Sequence, residues 1–429
     1  MIKKLGMWIV ILSTLTYAKD TFTVDELILK ALQNSPDVQI SSSEFEASTK
    51  RKDVAFSNYL PKVDLEVSGG EVGAGAFGND MQNTSLILGK LTLKQLIYDF
   101  GKTGGNYDIN KYQSEGYKYA LAQKIADKKM EVKGAYYKVL QSIALIKVNK
   151  ESVELNKAQL HRAKKYFQAG IKTKIDVSDA KVRLIKATLE LKKSQYNLEL
   201  AYTTLDKAVG FEDIKTDYSV YSKDLDLENL YENLTGYDLT LSEAILFAYK
   251  HRQNLKKHEV NIKVSQANVD FASSKYYPAI YLSGDYTKQD VDMDKLKLLF
   301  PEDQYQALIN LNWNLYEGGA TKAATQEKQI RTMISASELR YAKLLIKERT
   351  THAYINVNKM KDSVELSQSL LAVSKEKFDQ AGKRYEHGIS DYIELQEARQ
   401  GYIDAMTGLV IDYYNYYNAI AILDNAIGK

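Results

Sequence analysis

The chain has 429 residues and a formal net charge of +3, from 58 basic and 55 acidic side chains. The near balance of charge, with no basic patch interleaved with aromatic residues, argues against nucleic acid as a partner. The chain has no cysteine, which excludes a disulfide framework and a lipid anchor attached through sulfur.

The N-terminal segment has the layout of a secretory signal peptide. Two lysines are followed by an apolar run from Leu5 to Leu15, and Ala18 is the small residue expected before a cleavage site. The run is too short to span a membrane, so we expect residues 1–18 to be removed and the rest exported. No later run of about 20 apolar residues occurs, and an exported chain that enters a membrane must then cross it as β-strands.

The mature chain is an internal duplication. Thr-Val-Asp-Glu from Thr23 returns as Thr-Leu-Ser-Glu from Thr240, and Tyr-Asp-Phe-Gly from Tyr98 returns as Tyr-Glu-Gly-Gly from Tyr316. We predict repeats at 19–210 and 240–429, each with a helix, a strand pair and two long helices. The acidic segment 211–239 has no counterpart and is expected to be a short, partly helical linking element.

The strand pairs are predicted at about 61–99 and 279–317. Val63, Leu65 and Val67 alternate with polar residues, and a glycine-rich stretch at 69–80 is expected to be a mobile loop. In the second repeat, Ala307, Ile309, Leu311, Trp313 and Leu315 alternate with Asn310, Asn312 and Asn314. This pattern is typical of a transmembrane strand between lipid and water. A half-buried soluble sheet would look similar, but the asparagines favour a water-filled interior.

Long helices complete each repeat. The first helix is predicted from about Thr23 to Asn58, stopped by Pro61, and a proline-free run from Lys102 to Gln168 would be roughly 100 Å long. Small and large residues then alternate with 4-3 spacing, which predicts close coiled-coil packing. These seam positions are Ala180, Leu184, Ala187, Leu191, Ser194, Leu198, Ala201, Leu205 and Ala208, and in the second repeat Ala398, Tyr402, Ala405, Leu409, Asp412, Tyr416, Ala419, Leu423 and Ala426.

No catalytic constellation accompanies these elements. The five histidines have no zinc spacing, and Gly101-Lys102-Thr103 lacks the glycine that a phosphate loop needs at Leu96. We therefore predict a protein that is not an enzyme and has neither cofactor nor metal.

The remaining candidate site is a pair of breaks between the long helices, at Gly170-Ile171 and Gly388-Ile389. Glycine can end one helix. Thr173 or Asp391 can then cap the next helix, together with an acidic residue three positions later. Capping accounts for Asp176 and Glu394, but not for Asp179 and Glu397 one turn deeper. Two interpretations remain open: caps alone, or caps together with rings of carboxylates that select cations.

The duplication, the strand pairs, the Tyr-Asp-Phe-Gly and Tyr-Glu-Gly-Gly strand exits and the two glycine turns together resemble the TolC-type outer-membrane efflux family. The resemblance covers about Thr23 to Gly428. It implies an α+β membrane protein that forms a homotrimer. Four strands from each chain would close a 12-stranded β-barrel among outer-membrane lipids, continued by a long α-helical coiled-coil barrel across the periplasm.

The resemblance also implies roles for residues of the turns. Glu394 and Glu397 match two aspartates that ring the periplasmic entrance, and Asp176 and Tyr385 match a hydrogen-bonded pair that holds it shut. The arginine that reinforces this closure in well-known members is replaced here by Ser390. The Gly170-Ile171 and Gly388-Ile389 turns correspond to the tips that meet a periplasmic adaptor.

The function implied is an exit duct that passively conducts substrates from an adaptor and an inner-membrane transporter to the outside, in a tripartite efflux or type I secretion system. The alternative is an exported trimeric coiled-coil protein with a structural or adhesive role and no conduction. The polar strand faces favour the duct, because a stalk has no need of a polar barrel interior.

Overall fold

The computed structural model describes residues 20–74, 82–213, 218–222, 227, 229–291, 302–387 and 389–429. The first repeat contains β1 (Asp20–Phe22), α1 (Val24–Asn34), α2 (Pro36–Phe56), β2 (Lys62–Ala74), β3 (Gln82–Tyr98), α3 (Lys102–Gln168) and α4 (Lys174–Val209). After β4 (Tyr218–Val220) the second contains α5 (Leu241–His251), α6 (Gln253–Ser273), β5 (Ala279–Val291), β6 (Asp303–Asn312), α7 (Ala320–Glu386) and α8 (Tyr392–Ile427). The order of helices and of paired strands recurs, which confirms the two-fold repeat.

The single first helix predicted for each repeat is wrong, because each is broken into two. Ser35 has extended backbone (ψ 121°) between α1 and α2, as expected of a residue that precedes proline. Arg252 takes the same conformation between α5 and α6 without a proline. Its buried guanidinium donates to the Ala426 carbonyl at 2.8 Å, a long-range contact that the local sequence does not reveal.

The four long strands form one antiparallel sheet in the order β2-β3-β5-β6. Alternation along the strands and the register across them give the sheet one apolar and one polar face, as the sequence predicts. The apolar face carries Val63, Leu65, Val67, Leu91, Leu93, Leu282, Ile309 and Leu311, all exposed in the single chain. The polar face carries Asp64, Glu66, Lys90, Thr92, Asp285 and Gln306.

Two strand ends differ from the prediction. β2 continues through Gly69 and Gly70, which pair with Ile87 and Leu86; glycine weakens a strand but keeps the backbone donors and acceptors that pair it. The rest of the predicted loop, residues 75–81, lies outside the described residues. β6 ends at Asn312, which faces Ala279 at the start of β5. The stretch to Leu315 has no ladder because Pro278 precedes its partner strand.

The chain divides into two compact units, and each draws on both repeats. The first comprises residues up to Pro36, Asp127–Leu239 and His352–Asn425, and the second comprises Asp37–Ala126, Thr240–Thr351 and Ala426–Lys429. The second unit contains the four-stranded sheet. Among the described residues, no helix is both long and apolar enough to cross a membrane.

A core cluster in the first unit joins α1, α3, α4 and the segment after α4. It includes Leu27, Val132, Leu205 and Tyr218. β1 and β4 pair in parallel there. The described part of 211–239 contributes a strand and contains no helix. The expected helical part of this linking element is not found among the described residues. Gly210 is required beside this cluster, because it has a φ of 82° and a Cβ would lie 3.0 Å from the backbone of Asn34.

The 4-3 seams of α4 and α8 pack as predicted, with their small residues buried. Ala180, Ala187, Ala201, Ala208, Ala398, Ala405, Ala419 and Ala426 are all buried. The polar position at the middle of each seam is satisfied in the same way. Asn149 donates to the Ser194 hydroxyl at 2.6 Å, and Ser367, its counterpart in the second repeat, donates to Asp412 at 2.5 Å.

Candidate functional site

The first helical turn is closed by its own backbone and by a capping box. Gly170 takes a φ of 70°, which glycine adopts without steric cost, and the Ile171 amide donates to the Tyr166 carbonyl at 2.9 Å. Thr173 is the N-cap residue of α4 and donates to Asp176 through both its amide and its hydroxyl, each at 2.8 Å. These two hydrogen bonds hold the pKa of the Asp176 carboxyl below its usual value. Asp176 is thus a capping residue in this chain.

The second turn repeats this arrangement with one difference. The Ile389 amide donates to the Arg384 carbonyl at 2.9 Å, and Asp391 accepts from the Glu394 amide at 2.9 Å. The Glu394 carboxylate forms an ion pair with Arg384 at 3.4 Å. Glu394 therefore has a local electrostatic partner. Gly388 lies outside the described residues.

The deeper acids of the predicted rings, Asp179 and Glu397, are both exposed in the single chain. Each lies one helical turn beyond its capping partner, Asp176 or Glu394, so the two acids of a pair share a helix face. The cap accounts for the Asp176 carboxylate, and the ion pair with Arg384 accounts for that of Glu394. Neither contact involves the second acid of its pair. The carboxylate rings stay a prediction.

Tyr385 is the buried member of the predicted site, at 9% exposure. It packs with Ala381, Leu395 and Ala398, and the rings of Tyr166, Phe378 and Tyr392 lie against the same cluster. Burial raises the pKa of the Tyr385 phenol; the charge on Asp176 is a smaller contribution in the same direction. The phenol therefore stays protonated near neutral pH and is available as a hydrogen-bond donor.

Asp176 and Tyr385 lie in the same unit, but no hydrogen bond joins them among the described residues of one chain. The Asp176 oxygen that accepts from Thr173 is already occupied by the cap. A bond from Tyr385 would use the carboxylate's remaining acceptor capacity, because an ionised carboxylate has about four acceptor positions. The hydrogen bond between Tyr385 and Asp176 that would hold neighbouring helix pairs together stays a prediction.

A buried polar stripe on α8 was missed by the sequence analysis. Gln396 and Arg399 are 4% and 5% exposed, and with Tyr392 they follow i, i+4, i+7 spacing on one helix face. In the described part of the chain, no hydrogen-bond partner lies within reach of Ser390 Oγ, Gln396 Nε2 or Arg399 Nε. The Tyr392 hydroxyl interacts with the Arg183 side chain.

Arg399 is the charged residue of this stripe. Its Nη1 donates to Asn156 at 3.4 Å. Burial lowers the pKa of the Arg399 guanidinium, and the like charges of Arg183 and Arg162 lower it further. The spacing of these residues beside the seam position Ala398 was the signal that could have found them.

Metal chemistry has no evident location in the described ranges, where no group of three or more His, Asp or Glu could hold an ion. The turns instead offer exposed carboxylates and a buried tyrosine cluster. Such groups can attract cations and form hydrogen bonds between helices.

Comparisons with known proteins identify the family. A family model described as "Outer membrane efflux protein" matches residues 27–211 and 247–429, once in each repeat. Outer membrane protein TolC of Vibrio cholerae is 22% identical over 428 residues, covering 97% of this chain and 93% of that protein. Protein CyaE of Bordetella pertussis is 22% identical over 396 residues, covering 90% and 80%.

A solved structure has the same fold. The CmeC outer membrane channel of Campylobacter jejuni superposes with a TM-score of 0.82 at 18% identity, covering 94% of this chain and 85% of that chain. The family model covers most of both repeats, and the fold agrees over nearly the whole chain. The chain belongs to the outer membrane efflux protein family.

Proposed function

We propose that three copies of this chain close one barrel in the outer membrane and act as a passive exit duct of a tripartite efflux or type I secretion system. The observation that carries the proposal is the four-stranded sheet, whose exposed apolar face suits lipid and whose polar face suits a water-filled lumen. Three copies of four strands give the twelve strands of the expected barrel.

The sheet edges support assembly into a closed ring. β2 and β6 are the outer strands of the sheet, so each has one side without a ladder in the single chain. Unpaired backbone groups are costly in lipid, where water cannot satisfy them. Four strands are also too few to close around a lumen. Pairing β6 of one copy with β2 of the next would satisfy both edges.

The two turns are proposed as the periplasmic entrance of the duct. Asp176 and Tyr385 would form the hydrogen bond that holds neighbouring helix pairs together, while Glu394 and Glu397 would ring the opening. Support comes from the buried, protonated Tyr385 and from the exposed Glu397. Because Ser390 replaces the arginine that the family resemblance leads us to expect, closure would depend more heavily on Tyr385.

The turn tips are proposed to contact a periplasmic adaptor that links the duct to an inner-membrane transporter. The predicted docking positions are Gly170, Ile171, Gly388 and Ile389. Ile171 and Ile389 are 67% and 70% exposed, and Ile175 and Ile393 beside them are also exposed. Four exposed isoleucines at pseudo-equivalent places favour an apolar contact with another protein.

The alternative of a non-conducting adhesive coiled coil is not supported, because the matching family is one of efflux proteins. Conductance separates the two functions. Purified protein in a planar lipid bilayer is expected to give discrete current steps, and a heat-denatured sample of the same preparation should give none. A folded, bilayer-inserted protein without current steps would contradict the duct.

A further inference from the structure

A cavity of about 470 Å³ lies in the second unit, where the sheet meets the helices. Lys62, Lys94 and Tyr281 line it from the polar face of the sheet. Lys102 lines it from the first turn of α3, and Leu60 and Phe271 add apolar surface. The volume is within the range of roughly 300–1,000 Å³ found for sites that take small organic ligands.

The three lysines of this cavity have no carboxylate partner in the part of the chain that the structure describes. Lys62 donates to the Asn58 side-chain carbonyl at 3.3 Å, and the Lys94 ammonium lies 5.0 Å from the centre of the Tyr281 ring. Neither contact neutralises a charge. Three ammonium groups without a carboxylate partner among the described residues therefore border one cavity.

The strand register places two of these charges against each other. Lys62 in β2 is the direct cross-strand partner of Lys94 in β3, and like charges directly opposite each other destabilise a sheet. Farther along the same polar face, Lys90 instead lies 3.5 Å from the Asp285 carboxylate. An unfavourable local pairing that no carboxylate offsets among the described residues is the kind of local conflict expected at functional sites.

We propose that this cavity binds an organic anion, with a sulfonate, phosphate or carboxylate group held by the lysines and an apolar or aromatic body against Leu60 and Phe271. Ammonium groups attract such anions through charge and hydrogen bonds. The inference deepens the proposed function: if the polar face of the sheet lines the duct, a trimer carries three such sites on the path of its cargo. Amphiphilic anions would then be one class of that cargo.

The test is calorimetric titration of purified, folded protein in a non-ionic detergent with naphthalenesulfonate. Naphthalenesulfonamide, which has nearly the same shape but is uncharged at neutral pH, serves as the ligand control. Two variants remove charge from the cavity, Lys62→Gln combined with Lys94→Gln, and Lys102→Gln alone, which leaves the strands intact. Lys90→Gln is the matched protein control, because it removes one charge from the same face outside the cavity.

We expect the wild type to bind the sulfonate at least about tenfold more tightly than the sulfonamide, a difference of roughly 1.4 kcal/mol. Binding should weaken by a similar factor in both cavity variants and stay unchanged in Lys90→Gln. Equal affinity for the two ligands, no binding to folded protein, or an equal loss in Lys90→Gln would overturn the site. Binding is measured without current, so a protein that binds but does not conduct would contradict only the duct.

Discussion

The buried phenol of Tyr385 is the residue on which the proposed closure depends most. A hydrogen bond to the charged Asp176 would contribute about 1.5–3 kcal/mol, enough to shift a closed-open balance roughly 10- to 100-fold. Tyr385→Phe should therefore raise the open probability of single channels without harming assembly. Tyr392→Phe is the matched control, because it removes a tyrosine hydroxyl from the same cluster and leaves the proposed bond between Tyr385 and Asp176 in place. Equal open probabilities in wild type and Tyr385→Phe would contradict the proposed hydrogen bond between Tyr385 and Asp176.

The acids of the second turn should act on ion selectivity rather than on opening. Glu394→Gln combined with Glu397→Gln leaves the Asp391 cap to the Glu394 amide in place but removes the carboxylates that would ring the entrance. We expect a lower preference for cations in the reversal potential under a salt gradient. If selectivity does not change, these acids only stabilise the start of α8, and the ring interpretation is wrong.

Arg399 should add little to stability despite its buried position. Its guanidinium is desolvated, lies near two other arginines and has an unpartnered Nε. Replacing a poorly compensated buried charge with an apolar residue of similar volume is often neutral or stabilising. Arg399→Met should therefore keep or raise the thermal unfolding midpoint. A fall equivalent to 3 kcal/mol or more, about that seen when a buried ion pair is broken, would mean that Arg399 has a strong partner in the assembled protein.

At the scale of the elements, the helix seams should be intolerant of added volume. Ala201 and Ala419 are buried at equivalent places in α4 and α8, so Ala201→Leu or Ala419→Leu should cost roughly 1–3 kcal/mol per chain. Ala201→Ser keeps the small volume and should behave almost as wild type. Differential scanning calorimetry of the three variants provides the measurement; unfolding of both leucine variants at the wild-type temperature would contradict the seam.

Elements with a strong periodic signal could be predicted from the sequence. These elements share a regular spacing of apolar residues. They are the long helix from Lys102 to Gln168, the two seams and the alternating faces of the sheet. β1 and β4 could not be predicted, because three-residue strands form only through pairing with residues about 200 positions away, such as Thr21 with Ser219. The break at Arg252 likewise depends on a distant partner, Ala426.

The candidate site was predictable only in part, for the same reason. The turns and the capping side chains of Asp176 and Asp391 follow from local sequence patterns. The burial of Gln396 and Arg399, and the cavity bordered by Lys62 and Lys94, arise from packing between segments that are distant along the chain. The local sequence around a charged residue in a helix or strand does not show whether its side chain will be exposed or buried.

At the scale of the whole molecule, the proposed duct requires that the copies of the chain close one barrel. The sheet has an exposed apolar face and two outer strands, which makes a lone chain an unfavourable species in lipid. We therefore expect an obligate homotrimer, with no detergent-soluble monomer that retains the native β-sheet signal.

Disulfide trapping between the outer strands tests this closure most directly. Because the chain has no cysteine of its own, only the introduced cysteines can form disulfides. One cysteine replaces Leu65 in β2, and a second replaces one of three apolar-face residues of β6 in turn: Ala307, Ile309 or Leu311. On oxidation in the membrane, we expect at least one pair to give covalent dimers and trimers on denaturing gels and nothing larger. Only monomers in all three pairs, or a ladder that continues beyond the trimer, would contradict it.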